Sequence, residues 1–130
     1  MIKEVTMHKY IEDYFSEYKF KHEVKFFKKK VDFVFIDENE DLHAIELKVK
    51  DWKNSLSQID ANQLFANFCY LGIWNPYSSS VEKKLFKKYG IGILSVDKNK
   101  VDMILKPKKS PILNKKYMTL IKQSVNECYK

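Results

Sequence analysis

The stretch from residue 31 to residue 50, VDFVFIDENEDLHAIELKVK, constrains the fold more than any other part of the chain. Two apolar, β-branched runs flank the polar segment DENED, a pattern that predicts two antiparallel strands joined by a turn. However, the first run contains Asp32, and the second contains Glu46 and Lys48. Unpaired charges inside a sheet are costly, so these three side chains require an explanation.

The register of this hairpin follows from its turn. If the turn is centred on Asn39, cross-strand partners have residue numbers that sum to 78, and Asp32 lies opposite Glu46. Opposed residues share a face, and Lys48, two residues after Glu46, projects from that same face. The opposite face then carries apolar anchors, namely Phe33, Phe35, Ile45 and Leu47.

Two carboxylates on one face repel each other unless a cation lies between them. Oxygen ligands at this separation suit Mg²⁺ or Mn²⁺, which also bind phosphate oxygens. A lysine beside such a metal is placed to hold an attacking water and to stabilise charge on a phosphate, which favours metal-assisted phosphodiester hydrolysis. The alternative is a cross-strand salt bridge between Lys48 and one acid.

The remaining pattern alternates helices and strands. Residues 3–18 predict an amphipathic helix with Val5, Tyr10, Ile11, Tyr14, Phe15 and Tyr18 largely on one side. EVKFF predicts a first strand. Later segments predict a helix over 55–68 with a Ser55–Gln58 capping box and a strand over 69–74. A further helix is predicted over 80–89, with Ser80 as its N-cap. Gly90 ends that helix, IGILSV and VDMIL form a closing hairpin, and a last helix covers 113–128.

The composition fits one soluble domain spanning residues 1–130. Apolar residues make up 45% of the chain and charged residues 32%, enough for a packed core and a polar surface. Lysine and arginine number 24 against 17 acids, a net charge of +7 that favours a polyanionic partner, although AT-rich genomes also give lysine-rich proteins. Two distant cysteines and three unpatterned histidines predict neither a disulfide framework nor a zinc site. No membrane span or signal peptide is apparent, so we expect a cytoplasmic protein.

The spacing D-x(13)-E-x-K on consecutive strands resembles the PD-(D/E)xK nuclease superfamily. Within it, the ELKVKDW segment followed by a helix with a glutamine resembles small prokaryotic nucleases that are related to the archaeal Holliday junction resolvases. The resemblance covers the first helix to about residue 96 and implies an α/β fold, more specifically an α+β mixed sheet. Its restriction-endonuclease-like core has the order αβββαβ, here with an extra C-terminal hairpin and helix. Val31 occupies the position of the superfamily's proline.

The resemblance also implies residue roles. Asp32, Glu46 and the backbone carbonyl of Leu47 would hold Mg²⁺ or Mn²⁺, Lys48 would be the catalytic lysine, and Gln58 would act beside it. For Gln58 the capping role is the alternative, and Gln63 is a substitute candidate.

Some members of the superfamily bring a glutamate from the first helix to the metal. Glu4 is the first candidate for that position and Glu12 the second, with a solvated helix glutamate as the alternative. Glu23 matches a glutamate of the closer branch, but it is equally placed to pair with the lysines near it.

Basic residues surround the predicted site. Candidate DNA-phosphate contacts are Lys28, Lys29, Lys30, Lys50 and Lys53, unless these runs are only solvated loops. Trp52 either stacks on a base or packs on the core, and packing is favoured.

Together these patterns predict a metal-dependent endonuclease that acts on DNA by recognising junctions, flaps or ends in repair or recombination, and that works as a homodimer if two strands are cut together. The alternatives are a nucleic-acid-binding module or subunit that keeps the fold without cutting, and a toxin or defence nuclease acting on tRNA or foreign DNA.

Overall fold

Six strands form one mixed sheet in a computed structural model that describes residues 2–130. The strands are β1 (Lys19–Phe26), β2 (Lys29–Ile36), β3 (Leu42–Lys48), β4 (Phe68–Trp74), β5 (Gly92–Asp97) and β6 (Lys100–Leu105). The α-helices are α1 (Glu4–Tyr14), α2 (Leu56–Ala61), α3 (Lys83–Tyr89) and α4 (Lys115–Glu127). Short 3₁₀ helices cover Lys53–Ser55, Asn62–Leu64 and Asn75–Ser80.

The strands lie in chain order across the sheet, from β1 to β6. The pairs β1–β2, β2–β3 and β5–β6 are antiparallel, whereas β3–β4 and β4–β5 are parallel. A parallel pair needs a crossover, and α2 and α3 provide the two that this topology requires. The predicted fold class, an αβββαβ core followed by a hairpin and a helix, is therefore confirmed.

Helices cover both faces of the sheet. Met7 and Ile11 of α1 pack on one face against Phe33, Ile45 and other residues of the central strands. The other face carries a second cluster, to which the three remaining helices contribute Ile59, Phe86, Ile121 and Val125. Successive side chains of β2 and β3 thus point alternately into the two cores, as expected for a sheet covered on both sides. No helix within residues 2–130 is both long and apolar enough to cross a lipid bilayer.

The first helix is shorter than predicted, and its buried face is different. It ends at Tyr14, and its fully buried residues are Met7 and Ile11, one turn apart. Val5 is 71% exposed and Tyr14 is 54% exposed, so the predicted stripe was wrong at both positions.

The second helix also ends early, at Ala61 rather than residue 68. The amide of Asn67 donates to the Leu42 carbonyl, and the Asn67 side chain accepts from the Leu42 amide, both at 2.8 Å. These two bonds fasten residue 67 to the start of β3, so the chain must leave the helix before it and enter β4. Because these bonds join residues far apart in the sequence, the helical periodicity of the segment does not predict where the helix ends.

Both predicted serine caps were wrong. Ser55 Oγ donates to the Trp52 carbonyl at 2.6 Å, and Ser80 Oγ donates to the Tyr77 carbonyl at 2.7 Å, so each hydroxyl closes a tight turn and caps no amide. The predicted stop at Gly90 is confirmed, because this residue has a φ of 72° and ends α3 in the left-handed region that glycine tolerates.

The predicted register of the β2–β3 hairpin is confirmed. Phe33 pairs with Ile45 and Ile36 with Leu42, so partner numbers sum to 78 along the ladder. Asp37 holds the turn, because its Oδ1 accepts from the amides of Asn39 and Asp41 at 2.8 and 3.0 Å.

Candidate functional site

Strands β2 and β3 separate just before they reach the predicted acid pair. Their ladder ends at Phe33–Ile45. Beyond that point β2 pairs only with β1, whereas Glu46 and Lys48 pair only with β4. Asp32 and Glu46 therefore stand on the two sides of a fork in the sheet, and they do not form the direct ladder pair that was predicted.

A local twist of β1 and β2 explains the fork. The β1–β2 ladder passes from His22–Phe33 to Val24–Val31, so Asp32 and Glu23 are left unpaired, and Glu23 has a φ of 49°. Val31 packs in the helix-rich core whereas Phe33 packs beneath α1, although the two are only two residues apart. The alternation of side chains is thus broken at Asp32, as it is at β-bulges.

The twist turns the Asp32 side chain toward β3. Its Oδ2 accepts a hydrogen bond from the Leu47 amide at 2.8 Å, in place of a carbonyl of the neighbouring strand. The N–H and C=O of a strand residue point to the same edge of the strand. The Leu47 carbonyl consequently lies on the fork side of β3, together with the Asp32 carboxylate.

Glu46 is the most deeply buried acid of the described chain, with 1% of its surface exposed. Burial and the negative charge of Asp32 raise the pKa of Glu46 to about 7. Asn62 Nδ2, which lies 3.3 Å from Glu46 Oε1, the Asp32 amide and the positive charge of Lys29 oppose this shift only in part. Without a further cation, the site does not hold two ionised carboxylates at low cost.

Lys29 was predicted to contact DNA phosphates, but the structure brings it to the acid pair. Its Nζ donates to the Gln58 carbonyl at 2.8 Å. Burial lowers the pKa of Lys29, while the negative charges of Glu46 and Asp32 act in the opposite direction. The strand register that places Lys29 opposite Phe26 could not be read from the KKK run alone.

Lys48 is half-buried at the end of β3 and has no acidic partner. Among residues 2–130, no carboxylate oxygen lies within 4.0 Å of its amine. The cross-strand salt bridge, which was the structural alternative for this lysine, is therefore absent from the described chain.

The two glutamines differ in what they bind. Gln58 lies half-buried on α2, and the capping box proposed for it is not formed. Gln63, the substitute candidate, uses its Nε2 to bind Asp60 Oδ1 at 2.7 Å and the Tyr89 carbonyl at 3.1 Å. Gln63 thus joins α3 to the preceding turn, which leaves Gln58 as the better placed of the two.

Asn62 is a site residue that the sequence reasoning missed. It is fully buried beside Glu46, and its Oδ1 has no hydrogen-bond partner within residues 2–130. Such orphaned acceptors are rare and need an explanation, for which a bound water or ion is a standard one. Its spacing, four residues after Gln58, was the available signal, because positions i and i+4 share a helix face.

The candidate glutamates outside the fork lie at the surface or near it. Glu4 is exposed in the first turn of α1. Glu12 lies 3.5 Å from His22 Nε2, and Glu23 lies 3.9 Å from Lys30 Nζ. These pairs account for Glu12 and Glu23, and Glu4 is left as the candidate from the first helix.

The other predicted phosphate contacts, Lys28, Lys30, Lys50 and Lys53, are all exposed. Trp52 is only 7% exposed and packs edge-on against Phe86 at 5.7 Å, with Lys53 Nζ 5.7 Å from its ring. Packing, the favoured reading of Trp52, is confirmed.

The fork offers oxygen ligands that suit a hard divalent ion. No group of three histidine, cysteine or acidic side chains within residues 2–130 is arranged to hold a metal. The oxygen donors that the fork presents are two carboxylates, Asp32 and Glu46, and the Leu47 carbonyl, and water and phosphate oxygens would complete the shell of an ion held there. Mg²⁺ and Mn²⁺ accept such incomplete protein shells, whereas Ca²⁺ and Zn²⁺ sites usually take more protein ligands. The residues present fit Mg²⁺ or Mn²⁺.

No protein-family model matches the sequence, and no curated protein matches it significantly. Solved structures do match. A protein of unknown function from Silicibacter pomeroyi superposes with a TM-score of 0.79 and 8% identity, over 99% of this chain and 87% of its own. A repair endonuclease from Pyrococcus abyssi superposes with a TM-score of 0.55 and 19% identity, over 75% of this chain and 48% of its own.

The chain has a nuclease-like α/β fold. At these identities the likeness is one of fold, and a fold by itself does not fix a function. Since the chain spans about half of the endonuclease, 48% of its length, the activity of that whole protein is not carried over by the match. What this chain does has to be argued from its fork.

Proposed function

We propose that the protein is a metal-dependent deoxyribonuclease of the PD-(D/E)xK type, which hydrolyses phosphodiester bonds in DNA and prefers junctions, flaps or ends. One observation carries the proposal: the sheet opens where Asp32 and Glu46 lie, and it leaves the half-buried Asp32 beside the buried Glu46, whose pKa is raised to about 7. The hydrogen bonds that Glu46 receives from Asn62 and the Asp32 amide do not offset its burial, whereas a purely structural acid would be expected to have enough partners to stay ionised.

The residues that would hold the ion are Asp32, Glu46 and the Leu47 carbonyl. When bound, Mg²⁺ or Mn²⁺ supplies Lewis-acid polarisation of a phosphate and acidifies a coordinated water. The Leu47 amide keeps the Asp32 carboxylate in place, and Asn62 fixes one oxygen of Glu46.

Lys48 is the residue for the attacking water. Lys48 is half-buried two residues after Glu46, and its ammonium forms no ion pair with any acid in residues 2–130. A lysine in this position can hold a water by a hydrogen bond and stabilise the charge that develops on a phosphate oxygen. Gln58, whose backbone carbonyl anchors Lys29, borders the same site from α2.

DNA is the proposed substrate because the surroundings are basic. The exposed lysines 28 and 30 precede Asp32 along the chain, the exposed lysines 50 and 53 follow Lys48, and the chain carries a net charge of +7. Phosphate contacts of this kind give affinity without reading the sequence. A small protein with such contacts suits recognition of DNA structure, and paired cleavage of two strands would use a homodimer in the cytoplasm.

The test is metal-dependent cleavage of labelled DNA. Wild-type protein is incubated with Mn²⁺, Mg²⁺ or EDTA together with branched, single-stranded and linear duplex DNA. We expect cleavage that needs the metal, and a loss of about a hundredfold or more for Lys48→Met. Lys100→Met is the matched control, because Lys100 is exposed on β6, three strands away from β3.

A wild-type protein that cuts none of these substrates with either metal contradicts the proposal. If that protein nevertheless binds DNA, the non-cutting nucleic-acid-binding module becomes the better account. Equal loss in Lys48→Met and Lys100→Met would remove Lys48 from the site.

A further inference from the structure

The tip of the β1–β2 hairpin carries an aromatic side chain that the proposed chemistry does not use. Phe26 pairs with Lys29, so Phe27 and Lys28 form a two-residue loop between the strands. Phe27 is 72% exposed. An aromatic ring of this size at a loop tip loses the burial that normally favours it.

The backbone at this position makes the choice of residue more unusual. Phe27 has a φ of 56°, in the left-handed region where glycine, asparagine or aspartate is expected. Two-residue hairpin loops generally take such residues because a Cβ is unfavourable there. Phenylalanine is therefore not explained by the turn, and backbone strain of this kind is concentrated at functional positions.

Neighbouring rings support Phe27 from behind. Its ring lies edge-on to Tyr117 of α4 at 5.4 Å and to Phe26 at 4.7 Å, and Phe26 packs on Phe65 at 4.5 Å. The exposed ring is thus held on an aromatic base that is rooted in the core. A positioned ring of this kind loses little conformational freedom when something stacks on it.

An apolar groove of about 340 Å³ runs from this ring toward α2. Its lining residues are Phe26, Phe27, Lys28, Lys29, Ala61 and Leu64. Lys29 is shared by the groove and the fork. Its side chain lines the groove, its ammonium donates to the Gln58 carbonyl, and its positive charge interacts with the carboxylates of Glu46 and Asp32. A chain lying in the groove contacts Lys29, whose positive charge also interacts with the acid pair.

The positive charge around the Phe27 ring indicates which kind of molecule binds there. Lys25, Lys28 and Lys30 are exposed on the same hairpin, and the one acid that pairs with them there is Glu23 with Lys30. An apolar protein partner gains nothing from these cations, whereas a nucleic acid offers phosphates for the lysines and a base for the ring. Base stacking on aromatic side chains beside a basic track is the usual mode of single-strand binding.

We propose that Phe27 stacks on an unpaired base of single-stranded DNA, and that the groove leads the adjoining phosphodiester to the fork. This inference deepens the proposed nuclease function, on which it rests for the role of the fork, and it assigns as substrate a DNA with an unpaired segment. Duplex DNA offers no open base face to the ring and is bound through phosphates alone.

The binding test is done in EDTA, so that it does not depend on cleavage. Fluorescence anisotropy compares labelled oligothymidine with a labelled duplex. We expect Phe27→Ala to lower oligothymidine affinity about tenfold and duplex affinity less than about twofold, with Phe27→Trp close to wild type. Tyr14→Ala, which removes another exposed ring, 54% exposed and on α1, is the matched control and should leave both affinities unchanged.

A second variant separates function from folding. Phe27→Gly removes the ring but accepts the positive φ, so it should melt at a higher temperature than Phe27→Ala while binding oligothymidine as weakly. A fluorescent base analogue in the oligonucleotide should be quenched by wild type and not by either variant.

Several outcomes overturn the inference. One is an unchanged oligothymidine affinity in Phe27→Ala, and another is an equal loss for duplex. A dependence on Phe27 that appears only with oligouridine assigns the surface to RNA, and a dimer that dissociates in Phe27→Ala without a change in DNA binding assigns it to a second copy of the chain. If wild type binds as expected but never cuts DNA, the proposed nuclease function fails and the stacking surface stands.

Discussion

Two groups of polar side chains are buried against β3, one at the turn end of the β2–β3 ladder and one at its open end. We name them the turn cluster (Asp37, His43 and Tyr70) and the fork cluster (Asp32, Glu46 and Asn62). In the turn cluster, His43 Nε2 lies 2.8 Å from Asp37 Oδ2, and His43 Nδ1 lies 2.8 Å from the Tyr70 hydroxyl. A carboxylate only accepts, so Nε2–H donates to Asp37 and the neutral Nδ1 accepts from Tyr70.

The fork cluster has the opposite character. Asn62 Oδ1 is without a partner among residues 2–130, and burial beside Asp32 raises the pKa of Glu46 to about 7. The side-chain polar groups of the turn cluster are thus paired with one another, whereas the fork cluster keeps one unpaired acceptor and an acid with a raised pKa. Buried polar groups whose hydrogen bonds are all made favour a structural role. Buried polar groups that are left partly unpaired favour a functional one.

The largest expected effect is on cleavage, and it separates the clusters directly. Asp32→Asn should lower the rate of metal-dependent cleavage by about a thousandfold or more, equivalent to about 4 kcal/mol, because it removes a charged ligand. Asp37→Asn should stay within about threefold of wild type. Single-turnover cleavage is measured at a temperature where circular dichroism shows that both variants are folded. Similar losses in the two variants would abolish the distinction between the clusters.

The turn cluster should dominate stability. His43 is 8% exposed and stacks between Phe35 at 4.3 Å and Phe68 at 4.9 Å. His43→Ala should lower the free energy of unfolding by about 4 kcal/mol, because it leaves a cavity and two unpaired polar groups.

The measurement for His43→Ala is urea unfolding at neutral pH. Tyr70→Phe, which removes one hydrogen bond and little volume, should cost only about 1 kcal/mol. A loss below about 1 kcal/mol in His43→Ala would show that the cluster does not hold the hairpin.

The pH dependence of the two clusters should have opposite signs. Burial lowers the pKa of His43 despite the opposing Asp37, so protonation of this histidine below its ordinary pKa destabilises the fold. Burial of Asp37 acts to raise its pKa, but hydrogen bonds from His43 and two amides outweigh it and lower that pKa, so this stability is also lost as the pH falls. Acid therefore weakens the turn cluster.

Glu46 behaves in the opposite way. Its pKa is raised from 4.5 to about 7, so a penalty develops as the pH rises through this window and is complete above it. In metal-free protein, Glu46→Gln should therefore raise the free energy of unfolding by up to about 3 kcal/mol at alkaline pH and by almost nothing at acidic pH. Urea unfolding in EDTA across this range measures it. A variant that is less stable than wild type at alkaline pH would show that ionised Glu46 has a partner after all.

The two clusters also differ in how much of their geometry could be predicted from the sequence. The register of the β2–β3 hairpin was predictable because the turn residues and the alternation agree. The fork was not predictable, because it depends on the backbone of Glu23 in the neighbouring strand, and alternation within β2 does not report where pairing stops. The positions of Lys29 and Asn62 depend on that same non-local geometry, so one was assigned another role and the other was missed.

Asn62 gives the smallest and most specific effect. Asn62→Ala removes an unsatisfied acceptor, which favours the folded state, but it also removes volume and a donor to Glu46, which disfavours it. These contributions oppose each other, so the free energy of unfolding should change by less than about 1 kcal/mol. Affinity for Mn²⁺, measured by titration calorimetry, should fall about tenfold because residues that orient a ligand typically have that effect.

Gln63→Ala is the matched control for Asn62→Ala. The side-chain amide of Gln63 donates to Asp60 and to the Tyr89 carbonyl, and it does not bind Asp32 or Glu46. Gln63→Ala should lower stability by about 1 kcal/mol and leave Mn²⁺ affinity unchanged. If Asn62→Ala instead destabilises the protein by several kcal/mol with no change in Mn²⁺ affinity, Asn62 belongs to the packing of α2. The unpaired acceptor at the open end would then no longer distinguish the fork cluster from the turn cluster, and the case for a ligand there would rest on Asp32 and Glu46 alone.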